Sequence, residues 1–333
     1  MPAETALPSP RTDLSPALTE APVLAHVVRS GFVESVHRGT AVVTAPGGDV
    51  EWAHGDPSGP VFARSANKPL QALAMVGAGL DLPDDELALA CASHSGEPFH
   101  LEAARRILAG AGLDESDLQN TPDYPVDEAE RQAWVVARQP RSSVAQNCSG
   151  KHSAMLATCV VNGWDVATYR DPGHPLQQDI GRVIEQLSGE RVVAVGVDGC
   201  GAPAHGFALT GLARAFGRIA SAPAGTPAAR VAHAIRARPA YLGGTRREVT
   251  ALIREVPGLI AKDGAESVYA VGLADGRGIA VKIADGSPRA KGVVLAAALR
   301  RLGVEAPTAL SQLESAPVLG HGEPVGAVVA AGV

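Results

Sequence analysis

Residues 64–69 read Arg64-Ser65-Ala66-Asn67-Lys68-Pro69, where a loop gives way to the helical pattern KPLQALAMVGAGL. A spacing of three on a helix sets the serine and the lysine of Ser-x-x-Lys on one face. A serine hydroxyl is a weak nucleophile until a base takes its proton, and a desolvated or charge-crowded lysine can be that base near neutrality. Ser65 is therefore the candidate nucleophile and Lys68 its candidate base. Amides at the helix start offer a place for a developing oxyanion. Pro69 fits the first turn, where a missing hydrogen bond costs least. Taken alone, the motif also suits an N-cap serine and a solvated lysine, because so short a pattern recurs by chance.

Two further segments extend it. Ser93-His94-Ser95-Gly96-Glu97-Pro98 follows one helix later, and Ala261-Lys262-Asp263-Gly264-Ala265-Glu266 lies near the C-terminal hairpin. Ser-x-x-Lys, then Ser-x-polar, then Lys-polar-Gly is the three-part order of the β-lactamase and penicillin-binding serine enzymes. On that plan Ser93 and Lys262 shuttle a proton to the leaving group. Taken singly, Ser93-His94 reads as a loop or cap, Lys262 as a surface charge before a strand, and His94 as a ring satisfying nearby backbone.

The rest of the chain supports an α+β plan. VLAHVVRSG and FVESVHRGTAVVTA, a turn at Pro46-Gly47-Gly48, and DVEWAHG read as antiparallel strands. Apolar spacing of three or four then predicts helices in DDELALACAS, in HLEAARRILAGAGL, and at 127–138, 151–163, 175–187, 227–237 and 244–255. Residues 191–199, RVVAVGVDG, fit a strand or a buried connector. Alternation returns at 259–286, where Asp275-Gly276-Arg277-Gly278 joins two β runs, and PRAKGVVLAAALRRLG closes the pattern as a last helix. Strands at both ends and helices between predict one catalytic domain over 23–333, its sheet built from both chain ends with a helical subdomain at about 66–256. Residues 1–22, mixing Pro, Ser, Thr and acids, read as a flexible tail without a signal-peptide pattern.

With 46% hydrophobic and 19% charged residues among 333, the chain can bury a substantial core. A net charge of -6 with scattered Lys and Arg argues against nucleic acid. No apolar run approaches the roughly 18 residues of a spanning helix, so no membrane is expected and the default is cytoplasmic. Of four cysteines, Cys91 and Cys159 sit in apolar runs and read as core. Cys148 in QNCSGKH and Cys200 in VDGCGAP lie in polar, Gly-rich loops. With Lys151 and Asp198 they could hold a divalent ion, zinc favoured by the soft sulfurs, although lysine must first lose its proton. Two free thiols, or an adventitious disulfide if they are close, is the plainer alternative.

Together these blocks resemble the L-asparaginases of the Rhizobium etli type: HRG at 37–39, RSxxKPxQ at 64–71, CASHSGEP at 91–98, NCSGKHxxML at 147–156, DGCGAP at 198–203 and AKxGAE at 261–266. The resemblance runs from about residue 24 to the last predicted helix. It implies a serine β-lactamase-like fold, a homodimer, and hydrolysis of L-asparagine to aspartate and ammonia. It also implies two Ser-Lys tandems, Ser65 with Lys68 and Ser93 with Lys262, with Ser65 the nucleophile. Its metal, Zn2+, maps onto Cys148, Lys151 and Cys200, with Asp198 beside it for the substrate ammonium and Arg64 and His152 as further substrate contacts. Ser95 competes with Ser93 for the second serine, and Lys282 with Lys262. Another serine acylase of the β-lactamase or peptidase type, or a silent metal-binding protein on the same fold, are the rival readings.

Overall fold

The computed structural model describes residues 16–333. The predicted tail therefore lies, over 1–15, outside the described residues, and Pro16–Thr19 form one helical turn. No helix among the described residues is long and apolar enough to cross a membrane.

Alternating apolar residues make the first strands, β1 (Val23–Arg29), β2 (Phe32–Thr44) and β3 (Val50–His54). After them come β4 (Pro60–Phe62), then β5 (Ala194–Val197) and β6 (Pro203–Ala208) far along the chain. The C-terminal third adds β7 (Ile260–Gly264), β8 (Val268–Gly272), β9 (Gly278–Ile283), β10 (Pro317–Gly320) and β11 (Glu323–Ala330). The main sheet runs β10-β11-β1-β2-β9-β8-β7, with β3 also on β2, and every pairing is antiparallel. Both chain ends thus build one sheet, as expected. β4, β6 and β5 form a small second sheet.

Three local outcomes differ from the sequence expectation. The run 259–273 splits into two strands at a tight turn, where Glu266 and Ser267 both take positive φ. The helix Lys291–Arg301 is not the last element, because Pro307–Glu314 and the hairpin β10–β11 follow it. A helix at Leu209–Ala220, unforeseen behind its two glycines, lies against β8 and β9. The residues at 191–199 do form a strand, β5.

That helix sits unusually close to the sheet because the facing strand positions are glycines. A Cβ on Gly278 would stand 1.8 Å from the Ala213 carbonyl oxygen, and one on Gly272 would stand 2.1 Å from that of Phe216. Buried Leu212, Phe216 and Ile219 fill the interface instead. Gly278→Ala should therefore lower the unfolding free energy by about 1–3 kcal/mol, as overpacked cores do. A urea midpoint unchanged from the parent would contradict this close packing.

Candidate functional site

Ser65 lies on a 3-10 turn, Arg64–Asn67, that leads straight into the helix Lys68–Gly77 with Pro69 in its first turn. Arg64, just before it, takes φ of +50°, a conformation costly for a residue with a Cβ and one that gathers at functional sites. β7 packs against this turn. Gly264 permits the approach: a Cβ there would come within 3.0 Å of both the Ala63 oxygen and the Ala66 nitrogen. The glycine of Lys-polar-Gly thus has a steric reason: it lets the strand that carries Lys262 lie against the serine turn.

Ser65, Ser93, Asn147 and Arg247 line one cavity of about 290 Å³, with Asp263 and Lys291 on the same wall. Ser65 is half-buried, and its hydroxyl makes no side-chain hydrogen bond among the described residues. The Lys68 ammonium is buried and donates to the Ala92 carbonyl, to Ser93 Oγ at 3.1 Å and to Cys148 Sγ at 3.1 Å. Lys68 therefore contacts the second serine directly, a partner that chain spacing did not suggest. Ser93 borders the cavity, whereas Ser95 is fully buried and donates its hydroxyl to the Gly243 carbonyl. His94 is also buried, hydrogen-bonded to Ser149 Oγ at 2.8 Å, and burial holds it neutral.

Lys262 is fully buried and donates to its neighbour Asp263, at 2.6 Å to the backbone oxygen and 2.8 Å to Oδ1. Burial lowers its pKa to about 8, helped by the Lys68 charge and opposed by Asp263. Burial would raise Asp263, but Lys262, Arg247 and Lys291 outweigh it and hold this carboxylate ionised. The competing Lys282 instead donates to the backbone oxygens of Glu266 and Ile283.

The second group gathers at the start of the helix Ser149–Asn162. Cys148, Lys151 and Cys200 are all buried, and Lys151 Nζ lies 3.2 Å from Cys200 Sγ. Asp198 receives both Arg64 Nε and a terminal guanidinium nitrogen at 2.8 Å, so Arg64 joins this group to the serine turn. A hydrogen bond from Cys148 and the Lys151 charge lower the Cys200 thiol to about 4, while the same contact and burial push Cys148 to about 12. Burial would depress Lys151, but the charges of Cys200, Cys148 and Asp198 raise it. Among the described residues no three His, Cys, Asp or Glu side chains form a metal-holding group. The arrangement here is two sulfurs and an amine, with the Lys151 ammonium against the Cys200 sulfur. Two sulfurs and an amine would suit a soft cation once Lys151 gave up its proton, since only the neutral amine has a lone pair to offer.

His152 stands apart, buried, with Nδ1 2.7 Å from the Tyr169 hydroxyl. Cys91 and Cys159 are core, as their apolar runs predict. Arg247, Asp263 and Lys291 were missed by sequence reasoning. Asp263 sat in plain view inside Lys-polar-Gly, but the two cations come from the loop before one helix and the first residue of another.

Among curated proteins none matches the chain. Similar solved structures include a β-lactamase from Mycobacterium bovis, 15% identical with a TM-score of 0.45 over 86% of this chain and 98% of that one. Mglu in its native form is 15% identical, with a TM-score of 0.43 over 87% and 70%. EstCE1, a hydrolase with promiscuous acyltransferase activity, is 12% identical, with a TM-score of 0.40 over 82% and 93%. Residues 25–330, nearly the whole chain and all the site residues named above, match L-asparaginase II. The chain belongs to the L-asparaginase II family and is an amidohydrolase.

Proposed function

We propose that the protein hydrolyses L-asparagine to L-aspartate and ammonia through an acyl-enzyme on Ser65. The observation that carries this reading is the shared cavity: two serines border it, and buried Lys68 lies 3.1 Å from the hydroxyl of one of them, Ser93. Lys68 takes the Ser65 proton as Oγ attacks the side-chain amide carbon, and backbone amides of the serine turn receive the oxyanion. Ser93, coupled to Lys262 and within 3.1 Å of Lys68, passes a proton to departing ammonia. Water then resolves the β-aspartyl ester by the reverse route. Ammonia release measured side by side with asparagine, glutamine and a β-lactam tests the reading. Turnover of the β-lactam alone would favour the acylase alternative, and no turnover of any would favour a silent binding protein.

If Lys262 delivers that proton, kcat/KM for asparagine should fall as pH rises through about 8, since the amine then loses the proton it must give. Lys262→Arg, permanently charged, should lose this descending limb in a pH-rate profile, at a lower maximum rate.

We also infer that Cys148, Lys151 and Cys200 hold Zn2+, which when bound supplies positive charge that fixes the neighbouring loop. The serine already supplies the nucleophile, so Asp198, held in place by Arg64, receives the substrate ammonium, and His152 supports the helix that carries Lys151. A chelator should then raise KM more than it lowers kcat. Loss of turnover at saturating asparagine would point instead to metal-activated water. A cytoplasmic homodimer is the assembly expected for this enzyme.

A further inference from the structure

The cavity that contains Ser65 and Ser93 is also lined by two cations, Arg247 and Lys291, that the steps above leave idle. Asp263 meets three cations: Lys262 at 2.8 Å, Arg247 at 2.8 Å and Lys291 at 3.4 Å. The next carboxylate, Glu248, is 3.6 Å from Arg247. Glu266 also lines the cavity, but its side chain is 60% exposed and that of Glu248 28%, so the three cations share one well-buried carboxylate, Asp263, with Lys68 nearby. The Asp263 and Lys291 side chains are only 10% and 16% exposed. Excess charge in so dry a place is costly unless an anion joins it.

Lys291 is the least engaged of the three. Its one ion-pair contact is the longest, yet it borders the same cavity as Ser65. It is also the first residue of the helix Lys291–Arg301, where a cation opposes the helix dipole. That placement works against stability and adds to the positive field in the cavity, as suits a site built to receive an anion.

We propose that Lys291, backed by Arg247, binds the α-carboxylate of the amide substrate. The inference rests on the amide-hydrolase reading and deepens it. Anchoring that end leaves the side-chain amide to meet Ser65, and it restricts the enzyme to free amino acid amides, since an amide without the carboxylate leaves the excess charge unmatched.

The test compares asparagine with 3-aminopropanamide, which is asparagine without its carboxylate. In Lys291→Met the ratio of kcat/KM between the two should drop about 10–100-fold from the parent value, the size of a lost hydrogen bond to a charged group. Lys291→Arg should restore part of it. L-Aspartate binding by calorimetry gives a readout that needs no turnover and should weaken by a similar factor. A parent enzyme that releases ammonia from asparagine, with ratio and aspartate affinity unmoved in Lys291→Met, overturns the carboxylate subsite. A parent enzyme that binds aspartate through Lys291 but hydrolyses no amide upholds the subsite and overturns the hydrolase reading.

Discussion

Ser65→Ala is expected to reduce ammonia release from asparagine by at least about 10⁴-fold, since removal of a nucleophile leaves only what binding and the oxyanion site supply. The fold should survive. Ser65 is half-buried, and its hydroxyl makes no hydrogen bond among the described residues, so deleting one oxygen strands no buried partner. Its thermal midpoint should therefore match the parent's, and L-aspartate should still bind. Ser93→Ala is the informative companion. Its hydroxyl holds Lys68 Nζ at 3.1 Å, so both rate and stability should drop, the rate by about 10²–10⁴-fold as for a lost proton carrier. Should Ser65→Ala release ammonia at near the parent rate while Ser93→Ala does not, the nucleophile is Ser93 and the order of the two serines is reversed.

How much of this was legible depends on the range of each interaction. The serine turn was readable because its signals are local: a loop, Ser-x-x-Lys, then Pro69 in a first helical turn. The glycine after Lys262 was readable as a motif, and its reason emerged only when β7 was seen against the backbone of Ala63 and Ala66. Contacts that depend on long-range folding were not readable. Lys68 reaches Ser93 because the chain at 92–93 returns over the helix start. Arg247 and Lys291 are 16 and 28 residues from the Asp263 carboxylate they share, with β8 and β9 between it and Lys291. The helix Leu209–Ala220 escaped notice because Gly211 and Gly217 weaken its pattern, while the sheet requires a small residue at Gly217, where a Cβ would stand 2.2 Å from the Gly276 oxygen. The final hairpin β10–β11 was missed for a similar reason, since Gly320, Gly322 and Gly326 break its short apolar runs.

Lys68→Met tests the other half of the chemistry. Methionine is unbranched and close to lysine in length, so it can fill the buried space, but it donates no hydrogen bond. The Ala92 carbonyl and Ser93 Oγ lose their donor, and Ser65 loses the amine one helical turn away. Turnover should fall by about 10²–10⁴-fold, the range for removal of a general base. A second effect follows from charge alone. While Lys68 carries its proton, before it acts as the base, its charge is one of the causes that lower Lys262 to about 8, so its removal should let Lys262 hold its proton to higher pH. The descending limb of the residual pH-rate profile should then move upward. A merely structural lysine would slow the enzyme by loosening it, with no reason for that limb to move in this direction. A Lys68→Met enzyme within tenfold of the parent rate, with its limb still near pH 8, would take Lys68 out of the proton path and leave Lys262 as the candidate proton carrier.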